Sequence, residues 1–441
     1  MPDTIPGIVI AAPASNSGKT VITLALLRAL TRMGHAIAAA KTGPDYIDPA
    51  FQAAACGDTC VNLDPWAMTP GQIKGLAGDH VKDKAFLMCE GVMGLFDGAA
   101  NGDGSTADLA ALANWPVVLV VDVKGQSASA AAVISGFSRF RDDINVAGVI
   151  LNRVGSARHK QMIVDACARH LPDLPILGAV RRSEDLILPE RHLGLVQARE
   201  HPELDAFLDR AADIIADDVD LDALIGLVDQ KDNQSEKSAK QVPMIAPLGQ
   251  HIAVARDAAF AFSYPHILDG WRAAGAEISF FSPLANETPN PDCDAIYLPG
   301  GYPELYGETL ANAAAFKAGM RDAAKSGVLI YGECGGYMAL GKGLVDATGT
   351  RHEMLGLLPL ETSFATRRLH LGYREAQLGM PTPFGPAGMK LRGHEFHYAT
   401  TVSEDGTPFC RMKTATGLDL GPAGLAEGRV FGSFFHMIAQ S

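Results

Sequence analysis

The chain has 441 residues, 47% hydrophobic and 20% charged, an ordinary globular mixture that is long enough for two domains. A formal net charge of −13 argues against nucleic acid or an anionic membrane surface as partner, so an acidic ligand would have to be held by local basic side chains. Seven cysteines without a C-x-x-C pair point to a reducing, cytoplasmic setting rather than a disulfide framework, and no apolar run suggests a signal peptide or a membrane span.

The first predicted element is an apolar strand from Gly7 to Ala12, followed by a loop of small residues and a helix from Thr20 to Met33. In that loop the backbone N–H groups of Ser15, Asn16, Ser17 and Gly18 can cradle phosphates, Lys19 can reach the outer phosphates, and the Thr20 hydroxyl can ligate Mg²⁺. The strict G-x-x-x-x-G-K-[ST] spacing fails at Pro13, and a helix start with a chance lysine is the plainer alternative. Position one strand into the chain favours the P-loop.

The next strands supply what such a loop lacks. Lys41 follows the run Ala36–Ala40 and is a second phosphate-side cation. Asp45 and Asp48 follow in Gly43–Pro49, and Glu90 ends the run Ala85–Cys89 where a metal-binding acid is expected. Asp97, in the turn closing at Gly98, is a further candidate acid. Each alone could be a cap or turn residue; together, beside glycines at strand ends, they favour Mg²⁺ and phosphate chemistry. Strands at Val117–Val123 and Val146–Leu151 continue the βα alternation. Arg181, Arg182 and Arg191 are either solvated charges or clamps for substrate carboxylates.

A polar, apolar-poor stretch from Asp229 to Gln241, followed by Pro243 and Pro247, reads as a linker. It divides the chain into domains 1–228 and 246–441 joined by 229–245. The strand pattern restarts at His251–Ala255, Glu277–Phe281, Ala295–Leu298 and Val328–Tyr331. An α/β protein follows, with a mostly parallel sheet flanked by helices in each domain.

In the second domain Cys334 sits where an apolar strand turns sharply into a helix between Gly332 and Gly335-Gly336, a corner that exposes a nucleophile and admits backbone N–H groups to an oxyanion. A buried structural cysteine would not need glycines on both sides. Gly300 and Gly301, after another strand, are candidate oxyanion donors with Gly335, and His436, in the apolar run Val430–His436, is the candidate base. His394-Glu395-Phe396-His397 is one residue short of the H-E-x-x-H zinc spacing and has strand-like flanks, so a structural or domain-interface role is expected there.

Pro299-Gly300-Gly301, Gly332-Glu333-Cys334-Gly335-Gly336 and His436 resemble a class I glutamine amidotransferase domain. The usual pattern continues His-x-Glu, but Ile438 stands at that position, a departure typical of the cobyrinate-amidating branch. The first domain resembles the dethiobiotin-synthetase-like amidoligases, with a P-loop NTPase-like fold. Gly43–Pro49, Glu90–Gly98, Leu186–Leu195 and Arg392–Tyr398 are similar to the cobyrinic acid a,c-diamide synthase family.

The resemblance implies ATP-driven amidation of the a and c carboxylates of cobyrinic or hydrogenobyrinic acid, with Mg²⁺ and with ammonia taken from glutamine through an internal path. The partners are these small molecules, and a homodimer is compatible with the reading. Cobyric acid synthase and a nickel-sirohydrochlorin amidase are related alternatives. A partition-type P-loop ATPase is a more distant one, disfavoured by Ala14 where that class has a lysine and by the Cys334 domain.

Overall fold

The computed structural model describes residues 5–187, 203–228 and 244–441. The chain forms two compact units, the first made of residues before Lys240 and the second mainly of those from Lys240 on. Residues 229–243 of the proposed linker 229–245, and Arg191, lie outside the described residues.

The first unit is built on a seven-stranded parallel sheet: β1 (Gly7–Ala11), β2 (Ile37–Thr42), β3 (Cys60–Leu63), β4 (Phe86–Glu90), β5 (Val117–Asp122), β6 (Val146–Val154) and β7 (Ile176–Arg181). Their spatial order is β3-β2-β4-β1-β5-β6-β7. β1 and β4 are buried along their whole length, which is why both read as unbroken apolar runs instead of alternating ones. The helix Lys19–Arg32 buries Ile22, Leu26, Leu27 and Leu30 in the same core as Phe207, Leu208 and Ile215 of the helix Leu204–Asp218. Each such side chain contributes roughly 1.5–3 kcal/mol. Ion pairs of Arg28 with Asp209 and Arg32 with Asp213, both 2.8 Å, border the contact. Because β1 lies between β4 and β5, with strand order running outward on both sides, the loop after β1 occupies the switch point where open α/β sheets bind ligands.

The second unit begins with β8 (His251–Ala255), β9 (Glu277–Phe281), β10 (Ala295–Leu298) and β11 (Leu329–Glu333). A small four-stranded sheet follows, formed by β12 (Gly343–Val345), β13 (Arg351–Glu353), β14 (Leu360–Ser363) and, further on, β17 (Thr400–Glu404). The remaining strands are β15 (His370–Leu378), β16 (Lys390–His397), β18 (Thr407–Thr414), β19 (Asp419–Glu427), β20 (Val430–Ser433) and β21 (Phe435–Gln440). The large sheet runs β21-β16-β15-β18-β19-β20-β11-β10-β8-β9. Its half from β20 to β9 is parallel, as the apolar runs suggest, and the other half is antiparallel.

Two placements differ from the sequence reading. Lys41 lies inside β2, not after it, with 2% of its side chain exposed. The run Val430–His436 is not one strand. It breaks at Phe434, because β20 pairs in parallel with β11 while β21 turns to pair antiparallel with β16, bringing His436 opposite His394.

Candidate functional site

In the first unit the loop after β1 bends through Asn16 at φ 64° and Gly18 at φ 83° into the helix that starts at Lys19. Gly18 is required twice over, since its backbone is left-handed and an added Cβ would lie 2.3 Å from Asn152 Nδ2. That amide donates to the Ser17 carbonyl at 2.9 Å, and Arg153 donates to the Asn16 carbonyl at 2.9 Å and to Asp122 at 2.5 Å. The end of β6 thus braces the loop from below. The Ser17 hydroxyl donates to the Ala14 carbonyl at 2.8 Å, closing the turn that carries Ser15 and Asn16.

Around the helix start, charges from three strand ends converge. The Thr20 hydroxyl donates to Glu90 Oε1 at 2.6 Å and lies 3.3 Å from Asp48 Oδ2. Lys41 Nζ is 2.5 Å from Asp48, 3.0 Å from Glu90 and 3.7 Å from Asp45, and Lys19 Nζ is 3.5 Å from Glu90. Gln52 donates to the second Glu90 oxygen at 2.5 Å. Asp45 Oδ1 accepts the N–H groups of Ile47 and Asp48, at 2.8 and 3.1 Å, while Asn62 holds the Gly43 and Asp45 carbonyls. Burial pulls the Lys41 ammonium down, but Asp48, Glu90 and Asp45 outweigh it and hold it well above its ordinary value. Burial dominates at Lys19, which is lowered despite Glu90. Burial and the neighbouring Asp48 push Asp45 up to about 7, whereas Asp48 is lowered because Lys41 overcomes its burial. Hard oxygen donors from Thr20, Asp48 and Glu90 within hydrogen-bond reach of one another suit Mg²⁺ beside a phosphate.

Asp97 accepts the Gly94 N–H at 2.9 Å within its own turn, and the turn abuts the loop through Leu95 N–H donating to the Ala12 carbonyl at 2.8 Å. Asp97 therefore lies near the phosphate loop with one oxygen already engaged. Arg181 and Arg182 are exposed at the carboxyl end of β7, Arg181 at 3.9 Å from Asp218.

In the second unit three adjacent parallel strands, β10, β11 and β20, end side by side and carry Gly300-Gly301, Cys334 and the turn to His436. Cys334 has φ 46° and ψ −102°, a strained conformation for a residue with a side chain. Its N–H donates to the Ser433 carbonyl at 2.8 Å and its carbonyl accepts from Met338 at 2.9 Å, which hold the corner in place. An added Cβ on Gly335 would lie 2.9 Å from the Gly301 nitrogen, and one on Gly300 would lie 2.4 Å from His436 Cε1. One glycine turn therefore touches both the Cys334 corner and the histidine ring. Burial pushes the Cys334 thiol up, helped by Glu304, and burial with His394 and His397 lowers His436 well below its ordinary value. At rest the pair is a neutral thiol and a neutral imidazole.

Residues 8–196 match the CobQ/CobB/MinD/ParA nucleotide binding domain, and residues 251–441 match the CobB/CobQ-like glutamine amidotransferase domain. A hydrogenobyrinate a,c-diamide synthase of Brucella anthropi is 56% identical over 434 residues, 98% of each chain. Similar proteins of the same name from Rhizobium meliloti and Agrobacterium fabrum are 53% identical over 435 residues and 50% identical over 441. These cover 98% of this chain and 99% of the relative, and 99% of each, respectively. The chain belongs to the hydrogenobyrinate a,c-diamide synthase family.

Within this family framework, several residues beyond the motifs stand at the site. Asn152 and Arg153 end an apolar strand on the ligand side, the same signal that singled out Lys41, and could have been found by it. Gln52 and Asn62 carried no such signal. Glu304, four residues after Gly300, is pushed up to about 7 by burial, and its Oε2 finds no hydrogen-bond partner among the described residues. Glu395 accepts from Arg374 at 2.8 Å and meets His397 Nε2 at 3.3 Å. The His370 and His397 rings are parallel within 3° at 4.6 Å between centroids, and the ligand atoms of His370, Glu395 and His397 lie within 4.8 Å of one another, a group that could hold a metal ion. With Arg368, Glu404 and Phe434 this cluster lines a cavity of about 360 Å³. Among the described residues no helix is long and apolar enough to cross a membrane.

Proposed function

We propose that this chain amidates the a and c carboxylates of hydrogenobyrinic acid, using ATP to activate each carboxylate and glutamine as the nitrogen source. The observation that carries the reading is the near-full-length likeness, at 50–56% identity, to synthases of that name, in a chain holding both a braced phosphate loop and a strained cysteine corner.

In the first unit the loop N–H groups of Ser15 to Gly18, with Lys19 and Lys41, hold the ATP phosphates while a substrate carboxylate oxygen attacks the γ-phosphorus and ADP leaves, giving an acyl phosphate. Thr20, Asp48 and Glu90, with Asp45 behind them, would hold Mg²⁺, which neutralises charge on the phosphates when bound. Arg181, Arg182 and Arg191 are proposed to hold further ring carboxylates.

In the second unit the Cys334 thiol gives its proton to His436 as sulfur attacks the side-chain amide carbon of glutamine, with the oxyanion received by N–H groups of Gly300, Gly301 and Gly335. The imidazolium returns the proton to the leaving nitrogen, ammonia departs, and water hydrolyses the thioester to glutamate. Ammonia displaces phosphate from the acyl phosphate, and the cycle repeats at the second carboxylate.

The test is incubation of the purified chain with ATP, Mg²⁺, glutamine and, in parallel, hydrogenobyrinic acid, cobyrinic acid and nickel-sirohydrochlorin. Diamide formation from hydrogenobyrinic acid supports the reading. Turnover of another acid alone contradicts it.

A further inference from the structure

An imidazole that accepts a proton at one nitrogen works only if the other is held, and Ile438 leaves no acid two residues beyond His436. An acid reaches that position from another strand. Glu333 is the last residue of β11 and is covalently joined to Cys334; its Oε2 lies 4.0 Å from His436 Nδ1, with both side chains 1% exposed. Three donors fix the carboxylate: Tyr297 hydroxyl to Oε2 at 2.8 Å, Tyr331 hydroxyl to Oε1 at 3.0 Å, and the Met437 N–H to Oε1 at 3.2 Å. The two phenol rings are themselves stacked, 5.8 Å apart and within 9° of parallel. One carboxylate is thus bonded through its own backbone to the nucleophile and through Met437 to the residue after the base.

We propose that Glu333 is the positioning acid of the glutaminase site: it keeps the proton on Nδ1 of neutral His436, leaving Nε2 to accept the thiol proton, and its charge stabilises the imidazolium so formed. The inference rests on the reading of Cys334 and His436 as nucleophile and base. At 4.0 Å the interaction acts through charge, and it works against β16, which presents His394, 5.0 Å away between ring centroids, and His397, both of which oppose protonation of His436. The groups facing Glu333 itself are the two phenols, the Met437 amide and His436. Burial pushes its carboxyl up to about 7 against those donors, so the negative charge is lost as pH falls through that value.

The test uses the full chain with Glu333→Gln and Glu333→Asp. Glutamine and ammonium salts serve as alternative nitrogen donors, and Cys334→Ala is run beside them. Gln keeps acceptors for the tyrosines but removes the charge. The expected result for Glu333→Gln is a glutaminase kcat lower by roughly 100-fold with KM for glutamine little changed, unaltered ammonium-dependent synthesis, and loss of the acid limb of the glutaminase profile near neutral pH. Glu333→Asp recovers part of the rate.

Wild-type glutaminase in Glu333→Gln, or persistence of the same acid limb, overturns the assignment, as does an equal fall in ammonium-dependent synthesis, which would mark a structural role. If Cys334→Ala abolishes glutaminase while Glu333→Gln does not, only this inference fails. If Cys334→Ala also retains glutaminase, the reading of the site fails with it.

Discussion

Lys41 keeps its charge with 2% of its side chain exposed because Asp48, Glu90 and Asp45 surround it, and the fully buried Glu90 is compensated by Lys41 in turn. Removing one member leaves the others uncompensated. Lys41→Met should therefore destabilise the first unit by about 3–5 kcal/mol, the scale for breaking a buried ion pair, and abolish amidation. A thermal melt and a product assay check both, and an unshifted melt would mean that water already screens the cluster. The sequence located Lys41, Asp45, Asp48 and Glu90 individually as strand-end residues. Their mutual contact was not legible, because pairing across β2, β4 and the helix Asp48–Cys56 depends on strand order. Glu333 was not legible for a related reason: the residues after His436 include no acid, and the acid that approaches it precedes the cysteine by one position.

Strand ends carry the second site, so small changes there have large effects. Gly300→Ala would drive a methyl group to within 2.4 Å of His436 Cε1, and glutaminase activity should fall by roughly 100-fold as the ring is displaced. Ammonium-dependent synthesis should persist; its parallel loss would show that the turn supports the whole fold. The same unit contains histidines kept neutral by burial. His266, whose Nε2 lies 3.0 Å from the Ile438 carbonyl, is lowered to about 4 by burial. Between 6.5 and about 4 the unfolded chain binds the extra proton and the folded chain does not, so stability present above 6.5 is lost as pH falls and stops changing below about 4. For His266 alone the loss is about 3 kcal/mol over that range. Urea unfolding at a series of pH values should show it, with a smaller slope in His266→Gln; equal slopes would place the proton uptake elsewhere. Except for β3 and β7, the strands of the first sheet and the parallel strands of the second were legible as apolar runs, β1, β4, β5, β10 and β11 because they are buried almost throughout. The antiparallel strands were not: β15 and β19 have mostly half-buried or exposed residues and give no continuous apolar signal.

In the proposed mechanism activation and nitrogen supply belong to separate units, so each should fail alone. Cys334→Ala should lose glutamine-dependent synthesis and keep synthesis from ammonium, whereas Lys19→Ala should lose both, since carboxylate activation precedes either nitrogen donor. Loss of both activities in Cys334→Ala, or of neither in Lys19→Ala, would contradict that division, and both variants are read in one chromatographic assay. In this mechanism one chain joins the amide nitrogen of glutamine to the a and c carboxylates of hydrogenobyrinic acid. The most direct measurement is mass spectrometry and NMR of the product formed from hydrogenobyrinic acid, ATP and glutamine labelled with ¹⁵N in its side-chain amide. The account predicts two labelled amides, at a and c, with one ADP formed for each. Amides at other side chains, unlabelled amides, or ATP turnover without amidation would contradict it.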